Sequence, residues 1–233
     1  MPKTIGIVGG MSPESTTTYY EHITRTYQER FGNYGFPEII IYSVSFQQYI
    51  DWMNTEKWES IAEGLTQAVV SLKNSGADFG VIATNTMHKL FHQIKRKAPL
   101  PLLSIIDATA EAIQKEKIKR VGLLGTIFTM RETFYKKGLE EFGIKTLVPN
   151  TQEQETVNEI VFNELGKGII RKESKQKYVE IVHRLQDQGA EGVVLGCTEI
   201  PLLIKEEDCG IPLFDTAVLH AEKALAFALS DEE

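Results

Sequence analysis

GAEGVVLGCTEIP, Gly189–Pro201, reads as a buried strand, Val193-Val194-Leu195, that stops at Gly196 and hands over to Cys197. A helix is expected to begin directly after the cysteine. The stretch has a counterpart earlier in the chain, GADFGVIATNTMH, Gly76–His88. Both copies open Gly-Ala-acid, and eight residues after each opening glycine comes the strand-end position, Thr84 in the first and Cys197 in the second.

Two further matches flank this pair in the same order. Lys3-Thr4-Ile5-Gly6 resembles Lys119-Arg120-Val121-Gly122, and Leu100-Pro101-Leu102 resembles Ile211-Pro212-Leu213. Three anchors at a nearly constant offset point to an internal repeat of about 110 residues. Between the anchors, short apolar runs at 4–8, 38–44, 79–83, 102–106, 121–124, 144–148, 193–195 and 212–214 read as strands. Helical spacing separates them, as in Ile61, Leu65, Val69 and Leu72 or Tyr178, Ile181, Val182 and Leu185. Residues 45–58, polar and aromatic, read as a loop with a broken helix. Helices are expected around 107–114, 130–142, 152–166 and 216–229. Strands alternating with helices give an α/β class with parallel sheets. The expected fold is two pseudo-symmetric lobes, each a mainly parallel four-stranded sheet flanked by helices. The N-terminal lobe takes 1–106 plus 213–233 and the C-terminal lobe 107–212. Ligands of open α/β sheets sit beyond the carboxyl ends of the strands, so the active site is expected in the cleft between the lobes.

The 233 residues carry a formal charge of −7, with 42% hydrophobic and 24% charged residues, as in a globular protein with a substantial core. Lys/Arg clusters are short, at 95–97 and 115–120, so nucleic acid is not an expected partner. The N-terminus runs straight into a strand without the signature of a signal peptide. No apolar run reaches the ~18 residues of a membrane span. Two cysteines, Cys197 and Cys209, make no disulfide framework. A cytoplasmic protein is the expectation.

Cys197 lies where a strand meets a helix N-terminus, a setting that lowers a thiol's pKa and favours the thiolate. Gly196 leaves room for close approach, and Thr198 and Glu199 suit a polar site better than a dry core. Cys209, in EEDCG, reads as a plain loop residue. Thr84 is either a helix N-cap or a proton-transfer group, and a threonine hydroxyl needs an activating partner for the second role. His88, one turn on, could supply it or could simply pack. Turns at Met11-Ser12, Asn85-Thr86, Thr126–Thr129 and Thr198-Glu199 offer N–H groups and hydroxyls suited to carboxylates. Gly6, Gly9 and Gly10 do not form G-x-G-x-x-G, and no P-loop occurs. The five histidines show no metal-binding spacing, and no metal is expected.

The chain resembles the aspartate/glutamate racemase family over essentially its whole length. The resemblance is carried by IGIVGGMSPEST (5–16), ATNTMH (83–88), GCTEI (196–200) and FDTAVLHAE (214–222). It implies an isomerase that needs no cofactor, has two α/β lobes and forms a homodimer, with one cysteine at each of two strand ends facing a small amino-acid substrate. Here the second cysteine is Cys197 and Thr84 replaces the first, as in the subgroup that prefers L-aspartate and L-glutamate. The implied catalytic pair is Thr84 and Cys197. The implied substrate contacts are Met11, Ser12, Met53, Asn85, Thr86, Thr126, Lys167, Thr198 and Glu199. The region after the second strand, SVSFQQYIDWM (43–53), lacks the Arg with which some aspartate racemases hold a carboxylate. Lys167 lies one residue out of register with their Lys. The alternatives are a one-cysteine decarboxylase or isomerase of the same scaffold, and an amino-acid-binding module without activity.

Overall fold

The computed structural model describes residues 2–230. The chain forms two compact units, Met1–Ile105 with Ala217–Glu233, and Ile106–Thr216.

The first unit runs β1 (Ile5–Gly9), α1 (Pro13–Phe31), β2 (Ile39–Ser43), α2 (Phe46–Asn54), α3 (Trp58–Asn74), β3 (Phe79–Ile82), a 3-10 turn at Thr86–Leu90, α4 (Phe91–Lys97) and β4 (Leu102–Leu103). The chain passes into the second unit at the start of α5 (Ile105–Lys115). It continues through β5 (Arg120–Gly125), α6 (Ile127–Arg131), α7 (Thr133–Glu140), β6 (Lys145–Leu147), α8 (Thr151–Asn163) and a 3-10 turn at Leu165–Lys167. Then come α9 (Lys172–Asp187), β7 (Gly192–Gly196), a 3-10 turn at Ile200–Leu202, α10 (Glu206–Cys209) and β8 (Leu213–Asp215). The last helix, α11 (Thr216–Leu229), returns to the first unit.

Each unit holds one four-stranded sheet with every pairing parallel, in the orders β2-β1-β3-β4 and β6-β5-β7-β8. The second order is the first with each strand number raised by four, so the internal repeat is a repeat of topology. The central strands β1, β3 and β7 are buried along their whole length and β5 nearly so, as strands covered by helices on both faces must be.

The three sequence anchors do the same physical work in both sheets. Gly76 and Gly189 end α3 and α9 in the left-handed region, at φ 103° and 96°. Their N–H groups donate to Lys73 and Gln186 at 3.0 and 2.8 Å, and the next alanines donate to Leu72 and Leu185 at 3.1 and 2.9 Å. This is the glycine-terminated helix stop, and it turns the chain into the following strand. The acid after each alanine then clamps the neighbouring strand. Asp78 accepts the Thr4 N–H at 2.7 Å and Glu191 accepts the Lys119 N–H at 3.2 Å. Pro101 and Pro212 stand just before the edge strands β4 and β8, where a missing N–H does no harm. Their carbonyls accept from Gly80 and Val193, both at 2.9 Å. Gly6 and Gly122 lack a Cβ because the leucines of the covering helices, Leu72 and Leu185, come within 3.1 and 2.9 Å of where it would sit.

Each unit has its own core. One gathers Ile5, Ile7, Tyr19, Ile23, Phe79 and Val81 with Ala217, Ala221, Ala224 and Ala228 of α11, whose small residues let that helix lie close on β1 and β3. The other gathers Leu124, Val157, Tyr178, Ile181, Val193, Leu195 and Ile200, and it includes both Cys197 and Cys209. Cys209 is therefore a core residue closing the short helix α10, not the loop residue that its polar neighbours imply.

Several expected boundaries move for local reasons. The unit boundary expected at 212/213 falls at 216/217, because Leu213–Asp215 pairs with Val193–Leu195 and so belongs to the second sheet. The strand expected at 102–106 stops at Leu103, since the Ile105 N–H goes to the His88 side chain rather than to a ladder. Residues 45–58 contain an ordered nine-residue helix that ends at Asn54, and Glu56 at φ 55° then turns the chain into α3. The helix expected at 130–142 is two helices, broken at Glu132, which is extended at ψ 166°.

Candidate active site

In the first unit the candidate residues sit where β1 and β3 end. Ser12 caps α1, its side chain accepting the Ser15 N–H at 3.3 Å, and Pro13 stands at the start of the helix, where its missing N–H is not needed. The Ser15 hydroxyl donates to the Ala83 carbonyl at 3.1 Å, tying the start of α1 to the residue before Thr84. Thr16 completes the corner: its hydroxyl accepts the Gly10 N–H at 2.8 Å and donates to the Ser12 carbonyl at 2.9 Å. Ser15 and Thr16 belong to the MSPEST stretch but are not among the expected site residues; their signal is two hydroxyls in the first turn of a helix that meets a strand end. Met11, Ser12, Thr84, Asn85 and Thr86 are all buried around this corner. Met53 is buried on α2.

His88 does not serve the Thr84 hydroxyl. Its Nδ1 donates to the Thr84 carbonyl at 2.7 Å and its Nε2 accepts the Ile105 N–H at 3.1 Å, so both ring nitrogens are committed to backbone. Burial pushes its pKa down to about 4. The ring stacks on Phe91 and meets His220 edge-on at 5.9 Å between centroids. His220 is also held neutral, well below its usual value, by burial and by His88. It lies 2.7 Å from the Tyr19 hydroxyl and donates to the Leu103 carbonyl at 3.1 Å. The FDTAVLHAE motif thus contributes a buried scaffold histidine. After Thr84 the chain forms a 3-10 turn from Thr86 rather than the expected α-helix, and the helix dipole available at Asn85-Thr86 is correspondingly short.

In the second unit Thr126 caps α6, its hydroxyl accepting the Thr129 N–H at 3.4 Å. Gly196 ends β7. A Cβ there would lie 2.8 Å from the Leu124 carbonyl oxygen and 3.0 Å from Thr129, so its smallness serves the packing of β5 and α6. Lys167 stands on the 3-10 turn after α8 with its side chain exposed.

Cys197 departs from expectation in its electrostatics. The chain beyond it forms a three-residue 3-10 turn containing Pro201, not an α-helix, so no macrodipole is aimed at the sulfur. The thiol donates to Glu199 Oε2 at 2.9 Å, and the Thr198 hydroxyl donates to the same oxygen at 3.0 Å. Burial, then the Glu199 carboxylate, raise the thiol's pKa well above its ordinary value. The backbone N–H groups of Glu199 and Thr198, directed at the sulfur, oppose that rise. In this state Cys197 is a protonated thiol rather than a thiolate. Tyr178, on the apolar face of α9, closes the surroundings. Its hydroxyl donates to the Val157 carbonyl at 3.1 Å, and burial above all, with the nearby Glu164 and Glu199 carboxylates, keeps it neutral. Tyr178 is not expected beside Cys197 from sequence, because helical periodicity marks it only as core.

Among the described residues no group of three or more His, Cys, Asp and Glu side chains could hold a metal ion, and no helix is long and apolar enough to cross a membrane.

A buried cysteine and a buried threonine stand at equivalent strand ends of a repeated parallel fold. The family profile described as Asp/Glu/Hydantoin racemase matches residues 8–224. The chain belongs to that family. It is 41% identical to a candidate Asp/Glu racemase from Yersinia pestis whose crystal structure superposes with a TM-score of 0.91, over 97% of this chain and 99% of the other. It is 42% identical to an aspartate racemase homologue from Pyrococcus horikoshii OT3, with a TM-score of 0.85 and the same coverage of both chains. Broad specificity amino-acid racemase RacX of Bacillus subtilis is 24% identical over 97% of this chain and 98% of its own length.

Proposed function

We propose that the protein is a cofactor-independent racemase of aspartate, glutamate or both, working by proton removal and return at Cα. The observation that carries this reading is the buried Cys197 at the end of β7, set in backbone N–H groups and hydrogen-bonded to a carboxylate, with Thr84 at the equivalent end of β3. Racemisation requires proton-transfer groups on the two faces of one carbon, and a duplicated fold supplies two equivalent strand ends. Cys197 serves one face and a group on the Thr84 side serves the other. Ser12, Asn85, Thr86, Thr126 and Thr198 offer hydroxyl, amide and backbone donors for the carboxylates, whose negative charge grows as the α-proton leaves. Met11 and Met53 shape the apolar wall, and Lys167 is the candidate cation for a side-chain carboxylate. The relatives' names support aspartate and glutamate as the substrate class, the family resemblance supports a homodimer, and two cysteines without a disulfide framework favour a reducing cytoplasmic setting.

Enantiomers have equal free energy in water, so kcat/KM must be the same in both directions whatever the asymmetry of the site. Thr84 can therefore lower both efficiencies but cannot make the reaction one-way. The test is incubation with L- and D-aspartate and L- and D-glutamate in D₂O, following loss of Cα–H by NMR and chirality by chromatography. Exchange with inversion is the expected result. Saturable binding without exchange would replace this reading with a binding module. A second reading, a decarboxylase or isomerase that protonates an enolate-like intermediate, draws on the protonated state of Cys197, since a lone thiol acid suits one-sided protonation. Exchange with retention would mean that only the Cys197 half-reaction runs.

A further inference from the structure

Beyond β3 the chain is held by His88, and the 3-10 turn is the reason. The strand ends at Ile82, and the Ala83 N–H still reaches the Val8 carbonyl at 2.9 Å. An α-helix begun here would send the His88 N–H to the Thr84 carbonyl. The 3-10 turn sends it to Asn85 at 3.0 Å instead, and the imidazole of the same residue takes the Thr84 carbonyl at 2.7 Å. A carbonyl can only accept and the Ile105 N–H can only donate, so the partners fix the tautomer, with hydrogen on Nδ1 and a lone pair on Nε2. The buried ring cannot turn away. It lies flat on Phe91 of α4 at 4.9 Å between centroids and abuts His220 of α11, which is itself tied to Tyr19 and Leu103. The Thr84 N–H donates to the Ile82 carbonyl at 2.8 Å, so both backbone polar groups of Thr84 are held. The second repeat has no such device. Four residues beyond Cys197 stands Pro201, and the Cys197 carbonyl accepts the Ile200 N–H of its own turn at 3.1 Å.

We propose that His88 is the positioning residue of Thr84, acting through the Thr84 carbonyl to aim the hydroxyl at the end of β3. The proposal deepens the racemase reading and rests on it. A single torsion separates a threonine hydroxyl from its backbone, and a β-branched side chain has few choices at that torsion. Where the Thr84 backbone goes, the hydroxyl follows. Reacting groups must be held to within about 0.5 Å, and an error of about 1 Å can cost about a hundredfold in rate. The strand end that carries the poorer proton-transfer group is therefore the one held by an added side chain. The end that carries Cys197 closes on its own backbone. His88 touches no substrate in this reading, and it takes no part in the proton transfer itself.

Asparagine and glutamine divide the two jobs of the ring. The amide nitrogen of an asparagine reaches the place of Nδ1, and the amide oxygen of a glutamine reaches the place of Nε2. His88→Asn therefore keeps the donor to Thr84 and gives up the Ile105 N–H, and His88→Gln does the reverse. Conversion of L-aspartate and L-glutamate to their D forms is followed by chromatography, and stability by the urea midpoint. In His88→Gln kcat should fall about tenfold or more while KM stays within about twofold, because alignment is lost rather than binding. His88→Asn should turn over about fivefold faster than His88→Gln or more, although each variant gives up one buried hydrogen bond. Equal losses in the two variants, or losses that only track the urea midpoint, would make His88 a packing residue and overturn the proposal. Full conversion in His88→Gln would overturn it too. Should neither variant fold by near-UV circular dichroism, the unaltered protein decides. Long-range proton–nitrogen NMR should place the His88 hydrogen on Nδ1, and a hydrogen on Nε2 would overturn the assignment. Absence of conversion in the unaltered protein would sink the racemase reading, while the tautomer would still report on the bond to Thr84.

Discussion

His88 donates through Nδ1 to the Thr84 carbonyl at 2.7 Å while its Nε2 accepts the Ile105 N–H, so one neutral imidazole bridges the end of β3 and the start of α5. The bridge exists only while the ring is uncharged. Burial takes its pKa down to about 4 from an ordinary 6.5. Between those values the unfolded chain binds a proton that the folded chain refuses. The contribution to stability is therefore complete above pH 6.5 and lost as pH falls toward 4, on the order of 3 kcal/mol in all. Urea unfolding at several pH values in this window should show stability rising with pH, and His88→Gln should reduce that slope to the share carried by the buried His220. An equal slope in the variant would mean that the ring is solvated in the folded state.

Asp78 and Glu191 each hold an N–H just before a central strand, that of Thr4 before β1 and that of Lys119 before β5, one repeat position apart. Asp78→Ala and Glu191→Ala should each cost about 1 kcal/mol, the usual worth of such a bond, measured as a shift in the urea midpoint. A silent variant in either half would show that the two clamps are not equivalent.

Cys197→Ser should lower Cα–H exchange about a hundredfold or more, because a hydroxyl is a far weaker acid than a thiol. Cys209→Ser should retain exchange and lose stability by about 1 kcal/mol, since it places a hydroxyl in an apolar core next to α10. Full exchange in Cys197→Ser would move the chemistry to another group.

Thr84→Cys should speed exchange from the D enantiomer if the Thr84 side limits the reaction. Steady-state kinetics on both enantiomers checks this, and the two kcat/KM values should rise together. A rate that stays level or falls would assign the second proton transfer elsewhere.

Much of this is legible in the chain. The Gly-Ala-acid pair marks the repeat in the sequence, and only the structure shows that its glycines stop the preceding helices and its acids clamp a neighbouring N–H. The apolar runs of β1, β3, β5 and β7 mark strands covered on both faces. The hidden parts depend on contacts distant in sequence or on a single backbone angle. Leu213–Asp215 can join either sheet until its partner is known, and the breaks at Glu56 and Glu132 carry no proline or glycine to announce them. The protonation state of Cys197 is not readable from its position, because the turn after it closes as a 3-10 helix. Burial and a carboxylate two residues on then govern the thiol.

The return of α11 to the first unit has a consequence for the order in which the protein is made. Ile106–Thr216 is continuous, so its sheet is complete as soon as that segment has left the ribosome. The first unit, though translated earlier, must wait. Until Ala217, Ala221, Ala224 and Ala228 emerge, one face of β1 and β3 stays uncovered, and the Lys3 N–H lacks its bond to the Ala228 carbonyl at 2.9 Å. The half that carries Thr84 is begun first and finished last.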